Sequence, residues 1–523
     1  MDLSFLLSLA LPLTLLALTI LYFSNHRRGP AKKPNSTARA GSFSELIRNS
    51  HRILEWTTEL LATSPTGTVT TFMGVVTSNP SNVEHVLKNR FDNYPKGDRS
   101  TTILADFLGR GIFNSDGDHW KLQRKTASLE FNTKTIRTFI LDNVHREVAG
   151  RLLPILSATA AAGEVLDLQD LLERLAFDNV CKVAFNEDPA RLAGDTDEGR
   201  EFAHAFEEAT NLCIQRYRHP FLFSWKLQRF LGIGSEKLLK EKIATVHRFA
   251  MRVVRARKRA GAFGGLGDDL LSRFIAEADY SDEFLRDIII SFVLAGRDTT
   301  SATLTWFFWL ISTRPDVKNR IMDEIRSVRS KKPNPAEPMF ALEEVREMDY
   351  LHAALSETLR LYPPVPLQTR ECAADDVLPD GTRVSKGRVT RECAADDVLP
   401  DGTRVSKGRV VMYSSYAMGR TERIWGKDCQ EFKPERWMEN GVFQPKSPFR
   451  FPVFHGGPRM CLGKDMAYIQ MKAVAASVIE RFEVEVVDKE KQREPDFTMI
   501  LRVKGGLPVS VREKRAWPGM VAA

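Results

Sequence analysis

Residues 281–313 set the strongest limit on what this chain can become. No proline interrupts the stretch before Arg314-Pro315, and apolar side chains occupy it almost all round. A helix of that composition must be buried on every side. At about 1.5 Å per residue it runs on the order of 50 Å, the length of a whole domain. A large, mainly helical body is needed to enclose it. Its middle breaks the pattern with Ala295-Gly296-Arg297-Asp298-Thr299-Thr300. Charges and hydroxyls inside a buried helix are costly unless they are partnered or used. Threonine back-bonding to the helix and close packing at Gly296 are the structural alternative to a working site.

The rest of the chain supplies such a body. Apolar periodicity predicts amphipathic helices over 165–185, 201–214 and 237–257, a helix over 350–361 stopped by Pro363-Pro364, and another over 464–481. Residues 43–90 mix helix with a β-like run (TVTTFMGVVTS) and a helix opened by Asn79-Pro80. The fold class is therefore mostly α with small β-sheets (α+β). Residues 91–118 are rich in Gly, Asp and Asn and read as a loop, yet carry Ile103, Leu104, Phe107, Leu108, Ile112 and Phe113. Such residues either pack or line a pocket. Residues 216–225 (RYRHPFLFSW) combine aromatics and cations, which suits a membrane interface as well as core packing.

Residues 3–23 carry no charge and are long enough to cross a bilayer. Asp2 precedes them and Arg27, Arg28, Lys32 and Lys33 follow, the reverse of a cleaved signal, and the positive flank places the bulk in the cytosol. The division expected is an anchor at 1–24, a linker at 25–42 holding Pro30 and Pro34, a main domain at 43–515 and a tail at 516–523. The charge of +8 is spread out with no basic run, which argues against nucleic acid. Six cysteines include no C-x-x-C pair, which argues against zinc ribbons and a disulfide framework and fits a reducing compartment.

One cysteine stands apart. Phe454-His455-Gly456-Gly457-Pro458-Arg459-Met460-Cys461-Leu462-Gly463 cannot be a regular helix, so Cys461 is presented from a tight loop just before the helix at 464–481. That helix N-terminus and Arg459 both favour the thiolate. A stabilised thiolate on a glycine loop is what a haem iron takes on its proximal side; an inert structural thiol is the commoner use of a buried cysteine. Upstream, Trp120 and Arg124 share a helix face and make a cation-π pair possible. Glu357 and Arg360 form an E-x-x-R pair, by default a surface salt bridge.

The order F-x-x-G-x-R-x-C-x-G, filled by Phe454, Gly457, Arg459, Cys461 and Gly463, resembles the haem-thiolate signature of the cytochrome P-450 family. The resemblance implies haem b held through Cys461, with Trp120 and Arg124 on a haem propionate. It implies that Asp298 and Thr299 deliver protons beside small residues that leave room for dioxygen, and that Glu357, Arg360 and Arg436 form a structural triad. Ala295 stands where animal fatty-acid ω-hydroxylases often carry an ester-linked glutamate, so no such link is expected. The pocket would draw on Ile103, Leu104, Phe107, Ile112, Phe113, Ala295, Val365 and Leu367. Electrons would come from NADPH through a flavoprotein reductase, since no dinucleotide or flavin fingerprint is visible. Lys464 and Lys472 are candidates for meeting that reductase. Stretches such as FDNYPKG, GRGIFNSDGDHW, DDVLPDGT and YAMGR look most like the plant group that hydroxylates fatty acids at or near the terminal carbon, with a close branch that oxidises jasmonoyl-amino acid hormones. The family implies an endoplasmic reticulum membrane location. Rival readings are a haem-thiolate isomerase or dehydratase, a haem sensor, and a disabled protein.

The last arises because residues 369–389 are repeated without change at 390–410. Each copy reads as a hairpin, turning at Pro379-Asp380-Gly381 and Pro400-Asp401-Gly402. The family has one hairpin here. The extra copy either forms a surface hairpin, since loop closure grows costly only slowly with length, or displaces the strand after Pro364.

Overall fold

A computed structural model describes residues 43–71, 74–131, 134–194, 197–218, 224–262, 269–331, 339–373, 376–384, 397–398, 404–405 and 410–514. The expected anchor, linker and tail lie outside them, and among the described residues no helix is long and apolar enough to cross a membrane. The helices that matter for the site are α1 (Ile53–Thr63), α2 (Gly97–Leu108), α3 (Gly117–Phe131), α4 (Leu168–Phe185), α5 (Asp197–Arg218), α6 (Gly234–Ala262), α7 (Asp282–Ser312), α8 (Asp349–Leu361) and α9 (Lys464–Arg481).

The long apolar stretch is α7. Ser281 caps it by accepting from the Phe284 N–H at 3.2 Å, and it ends ahead of Pro315. Its first half (Leu285, Ile288, Val293) joins one apolar cluster with α4, α5 and α6. Its second half (Trp306, Phe307, Leu310) joins another with α8 and α9. Burying each of these side chains contributes about 1.5–3 kcal/mol. The Trp306 indole finds a partner in the Leu501 carbonyl at 3.0 Å, and its ring stacks on Tyr362 at 3.9 Å. The polar patch falls between the two clusters, where α7 crosses α4. A Cβ on Gly296 would come within 2.4 Å of the Val180 side chain, so the glycine permits that close crossing.

Six small sheets accompany the helices among the described residues, and the two largest have four and three strands. One runs β1 (Thr68–Thr70), β2 (Gly74–Thr77), β9 (Val410–Ser414), β4 (Leu367–Glu371). The other includes β3 (Val165–Asp167), so the predicted helix 165–185 begins as a strand paired with Pro508–Glu513 before Asp167 caps α4. Residues 91–118 are not one loop: α2 occupies Gly97–Leu108, because Ile103, Leu104, Phe107 and Leu108 recur at helical spacing within a turn-rich composition. In segment 216–225, Arg216 and Trp225 do not face a membrane. Arg216 is buried, bonded to Glu236 at 2.6 and 2.8 Å and to Asp106 at 2.9 Å, and lies over the equally buried Trp225. Residues 219–223 are outside the described set.

The repeat does not displace the strand after Pro364. β4 lies antiparallel to β9, with Thr369 opposite Met412. The first copy forms a hairpin, β5 (Asp376–Val377) with β6 (Arg383–Val384). The second forms β7 (Asp397–Val398) with β8 (Arg404–Val405) in the same register. The first copy is docked: Asp376 meets His85 at 2.7 Å and Tyr94 at 2.9 Å, Asp380 accepts from Asn82 at 2.7 Å, and Leu378 and Val384 are buried.

Glu357 and Arg360 form no surface bridge. Both are fully buried and bidentate at 2.7 Å. Arg360 also donates to the Gly419, Cys429 (2.6 Å) and Glu431 (2.9 Å) carbonyls. Glu357 further accepts from Arg436 (3.3 Å), the Lys433 N–H (3.0 Å) and the Trp437 indole (2.9 Å). The triad expected from the sequence thus ties α8 to the segment leading into the cysteine loop.

Two outcomes follow. Glu357→Ala strands the Arg360 charge in the interior and should cost about 3–5 kcal/mol in denaturant unfolding. Deleting residues 390–410 joins Val389 to Val411, an identical valine replacing Val410 in β9, and roughly halves the connection. Since a halving of loop length is worth about 0.6 kcal/mol, the melting temperature should move by no more than a few degrees.

Candidate functional site

The cysteine loop is held by its own backbone. The Cys461 N–H donates to the Phe454 carbonyl at 2.8 Å, closing the loop just before α9 begins at Lys464. Gly457 has φ +63°, and a Cβ there would sit 2.0 Å from the Leu87 carbonyl oxygen, so the loop lies directly on the turn preceding Phe91. The Phe454 ring packs 5.4 Å from Tyr468. Cys461 is exposed to open space, yet protein surrounds it closely enough for burial to dominate its chemistry. Burial raises the thiol pKa, opposed by the Gly463 N–H and by the charges of Arg124 and Lys464. The expectation that Arg459 favours the thiolate is corrected here: Arg459 bonds Asp116 at 2.6 Å and the Ser115 carbonyl at 2.9 Å instead.

Next to the cysteine loop lies a cationic cradle. Lys96, Arg124, Arg370 and Arg459 sit close enough to act on one another. Burial, Arg370 and Arg459 hold the Lys96 amine well below its usual range. Burial and Arg370 pull Arg459 down to about 10. Burial lowers Arg124, with Cys461 working the other way. His455, hydrogen-bonded through Nδ1 to the Tyr413 hydroxyl at 2.9 Å, is kept neutral by burial and by the same cations. Trp120 lies 4.3 Å beneath the Arg459 guanidinium, so its cation-π partner is Arg459. The Arg459 Nε is buried without a hydrogen-bond partner. Beside the Asp116 carboxylate the cradle is still cationic, and a group bearing two carboxylates would neutralise it and satisfy that orphaned N–H. Haem b, with two propionates and an iron that takes thiolate, fits these residues.

Lys96, Arg370, His455 and Tyr413 were not foreseen. Lys96 falls in a turn, and Arg370 and Tyr413 on paired strands β4 and β9. The sequence carried no signal for them: that His455 takes a left-handed backbone, φ +59°, is visible only in the structure.

On α7 the Thr299 hydroxyl donates to the Ala295 carbonyl at 2.7 Å. The Asp298 carboxylate faces Arg297 at 3.5 Å and burial raises its pKa. Arg297 is itself buried, 3.6 Å from Glu173 and 3.8 Å from Glu207, both of which also bind Arg502. Burial lifts Glu173 to about 7.

The proposed pocket residues separate. Ile103 and Phe107 are buried in α2, Phe107 edge-on to Phe206 at 5.1 Å, and Leu104 packs against the same cluster. Ile112, Ala295 and Val365 are partly buried, and Phe113 is exposed. Leu367 turns into a groove beside Trp56 and Leu60 of α1.

A helical body around one long helix, with a cysteine loop set against a cradle for a dianionic group, defines a haem-thiolate class of protein. The chain belongs to the cytochrome P450 family, whose pattern matches residues 49–389 and again 383–510. The match breaks and restarts at the repeat, as expected if one copy is additional. The chain is 68% identical to cytochrome P450 CYP94D108 of Paris polyphylla over 495 residues, 94% of this chain and 95% of that protein. It is 42% identical to cytochrome P450 94A1 of Vicia sativa over 496 residues (92% and 90%) and 45% identical to cytochrome P450 94C1 of Arabidopsis thaliana over 471 residues (88% and 89%). It is therefore a monooxygenase that uses haem b, dioxygen and electrons passed from NADPH by a flavoprotein reductase.

Gly457→Ala forces a Cβ against the Leu87 carbonyl at a strained φ. It should cost about 1–3 kcal/mol or more of stability in denaturant unfolding and release haem more readily in a transfer assay.

Proposed function

We propose that this monooxygenase inserts one oxygen atom from dioxygen into a C–H bond of a fatty acid or related lipid, at or near the terminal carbon. The observation that carries the reading is where the lipid-hydroxylase-like sequence falls. Residues 91–97 and 109–120 supply Phe91, Lys96, Ser115, Asp116 and Trp120, which border the cradle: Phe91 lies 5.5 Å from Trp120, and Ser115 and Asp116 hold Arg459. We further propose that residues 1–24 anchor the chain in the endoplasmic reticulum membrane with the domain at 43–515 in the cytosol.

In this reading the Cys461 sulfur would hold the haem iron. It would hold the metal as the thiolate, and Arg124, Lys464 and the Gly463 N–H favour the charged sulfur. Arg459, Arg124, Arg370 and Lys96 would hold the carboxylates of the prosthetic group, and Trp120 braces Arg459. Gly457 and Gly463 shape the loop and Phe454 covers it. Haem supplies the electron and oxygen chemistry when bound.

The protons come from α7. Asp298, partly shielded and with a raised pKa, holds a proton more readily than a solvated carboxylate does. The Thr299 hydroxyl, donating to Ala295, keeps lone pairs free to accept and pass one on.

Reconstituted with reductase and NADPH, the full chain should convert long-chain fatty acids to terminal or near-terminal alcohols, read by mass spectrometry. Turnover of a jasmonoyl-amino acid in preference would overturn the substrate assignment. Asp298→Asn and Thr299→Ala should lower product formation about a hundredfold or more while NADPH is still consumed and peroxide appears, with the reduced carbon monoxide spectrum unchanged. Cys461→Ser should abolish the thiolate-type band with far-UV circular dichroism intact.

A further inference from the structure

Outside the cradle, α8, α9 and the segment from Trp437 to Phe451 border a half-open cavity of about 320 Å³. Its polar lining is cationic: Lys472 and Lys464 from α9, Lys446 and Arg346, against one acid, the exposed Asp465. Lys472 is the decisive member. The sequence reads it as a surface charge, solvated or a candidate for meeting the reductase, yet it is 4% exposed. Among the described residues its amine has a single long hydrogen bond, 3.5 Å to the Arg346 carbonyl, and no ion pair. The nearby Glu324 is already engaged by the N–H groups of Tyr350 and Leu351 at 2.7 and 2.9 Å. Burial draws the amine down to about 8, with Glu324 and Asp349 acting against it and Arg346 with it, so at pH 7 it is still mainly protonated.

The remaining wall is aromatic. The His352 ring is stacked between Phe443 at 4.0 Å and Tyr468 at 3.9 Å, and burial keeps it uncharged. Trp437 lies parallel to Phe443 at 6.0 Å. A desolvated ammonium with almost no acceptor, aimed into an aromatic recess, is costly until an anion arrives. The volume is at the lower end of that of small-ligand sites.

We propose that this cavity is a second ligand site, for a small organic carboxylate with an aryl or short alkyl body: the carboxylate on Lys472 and its neighbouring cations, the body against His352, Phe443 and Trp437. Bulky nucleotides exceed the space, and cations are repelled. The site is independent of the substrate assignment above.

The test is equilibrium dialysis of 1-naphthylacetate against the full haem-loaded chain, with a haem-coordinating azole occupying the substrate side. Saturable binding near one equivalent is expected, weakened at least tenfold by Lys472→Met and by Phe443→Ala. The reduced carbon monoxide spectrum of each variant, taken without azole, should match that of the parent. The uncharged 1-naphthylmethanol should bind at least tenfold more weakly. Absence of saturable binding, displacement by the azole, equal affinity in Lys472→Met, or equal affinity for the alcohol would each overturn the proposal. An intact thiolate-type band in such a failure leaves the haem assignment standing.

Discussion

The Glu357–Arg360 pair is the interaction on which the cysteine loop depends. Two charges with no exposure carry a desolvation penalty of several kcal/mol each. It is offset because nearly every donor and acceptor is used. Arg360 reaches three carbonyls from the connection after β9, and Glu357 takes Arg436, a backbone N–H and the Trp437 indole. The network leaves little freedom for the chain between β9 and Phe454. That restraint lets a loop made of two glycines, a proline and short 3-10 turns hold Cys461 in one place.

Electrostatics then divides the interior into regions of opposite character. The cradle near Cys461 collects cations whose mutual repulsion is relieved by an anionic group, as the orphaned Arg459 N–H requires. Along α7, by contrast, Arg297 and Arg502 are matched by Asp298, Glu173 and Glu207, a set that is close to neutral overall. A matched set can store a proton. An unmatched one binds a ligand. The cavity around Lys472 belongs to the second kind on a smaller scale.

The repeat separates local from tertiary causes. Both copies form the same hairpin in the same register, which is what a Pro-Asp-Gly turn between short β-prone segments dictates. The docking of the first copy on Asn82, His85 and Tyr94 is a tertiary matter. Arg370 illustrates the point further. β4 carries it into the cradle by pairing with β9, opposite Val411, a placement that its neighbours in sequence do not dictate.

Much of the fold was legible in the chain. The bounds of α7 follow from capping and proline, those of α9 from its apolar spacing, and the shape of the cysteine loop from its glycines, because these effects act within a few residues. The same reasoning placed Glu357, Arg360 and Arg436 together only through their resemblance to a family, and it read α2 as a loop because turn-rich composition concealed helical spacing. It also left Arg216 and Trp225 open between a membrane face and the core, and treated Lys472 as a surface charge. Whether a charged or aromatic side chain is buried depends on partners far along the chain, such as Glu236 for Arg216 or the aromatic wall for Lys472. The sequence by itself determined most of the long helices, the cysteine loop and the resemblance to the family. The tertiary structure alone decided which charges are paired and which are left to bind something else, because pairing is settled by distances that no local pattern encodes.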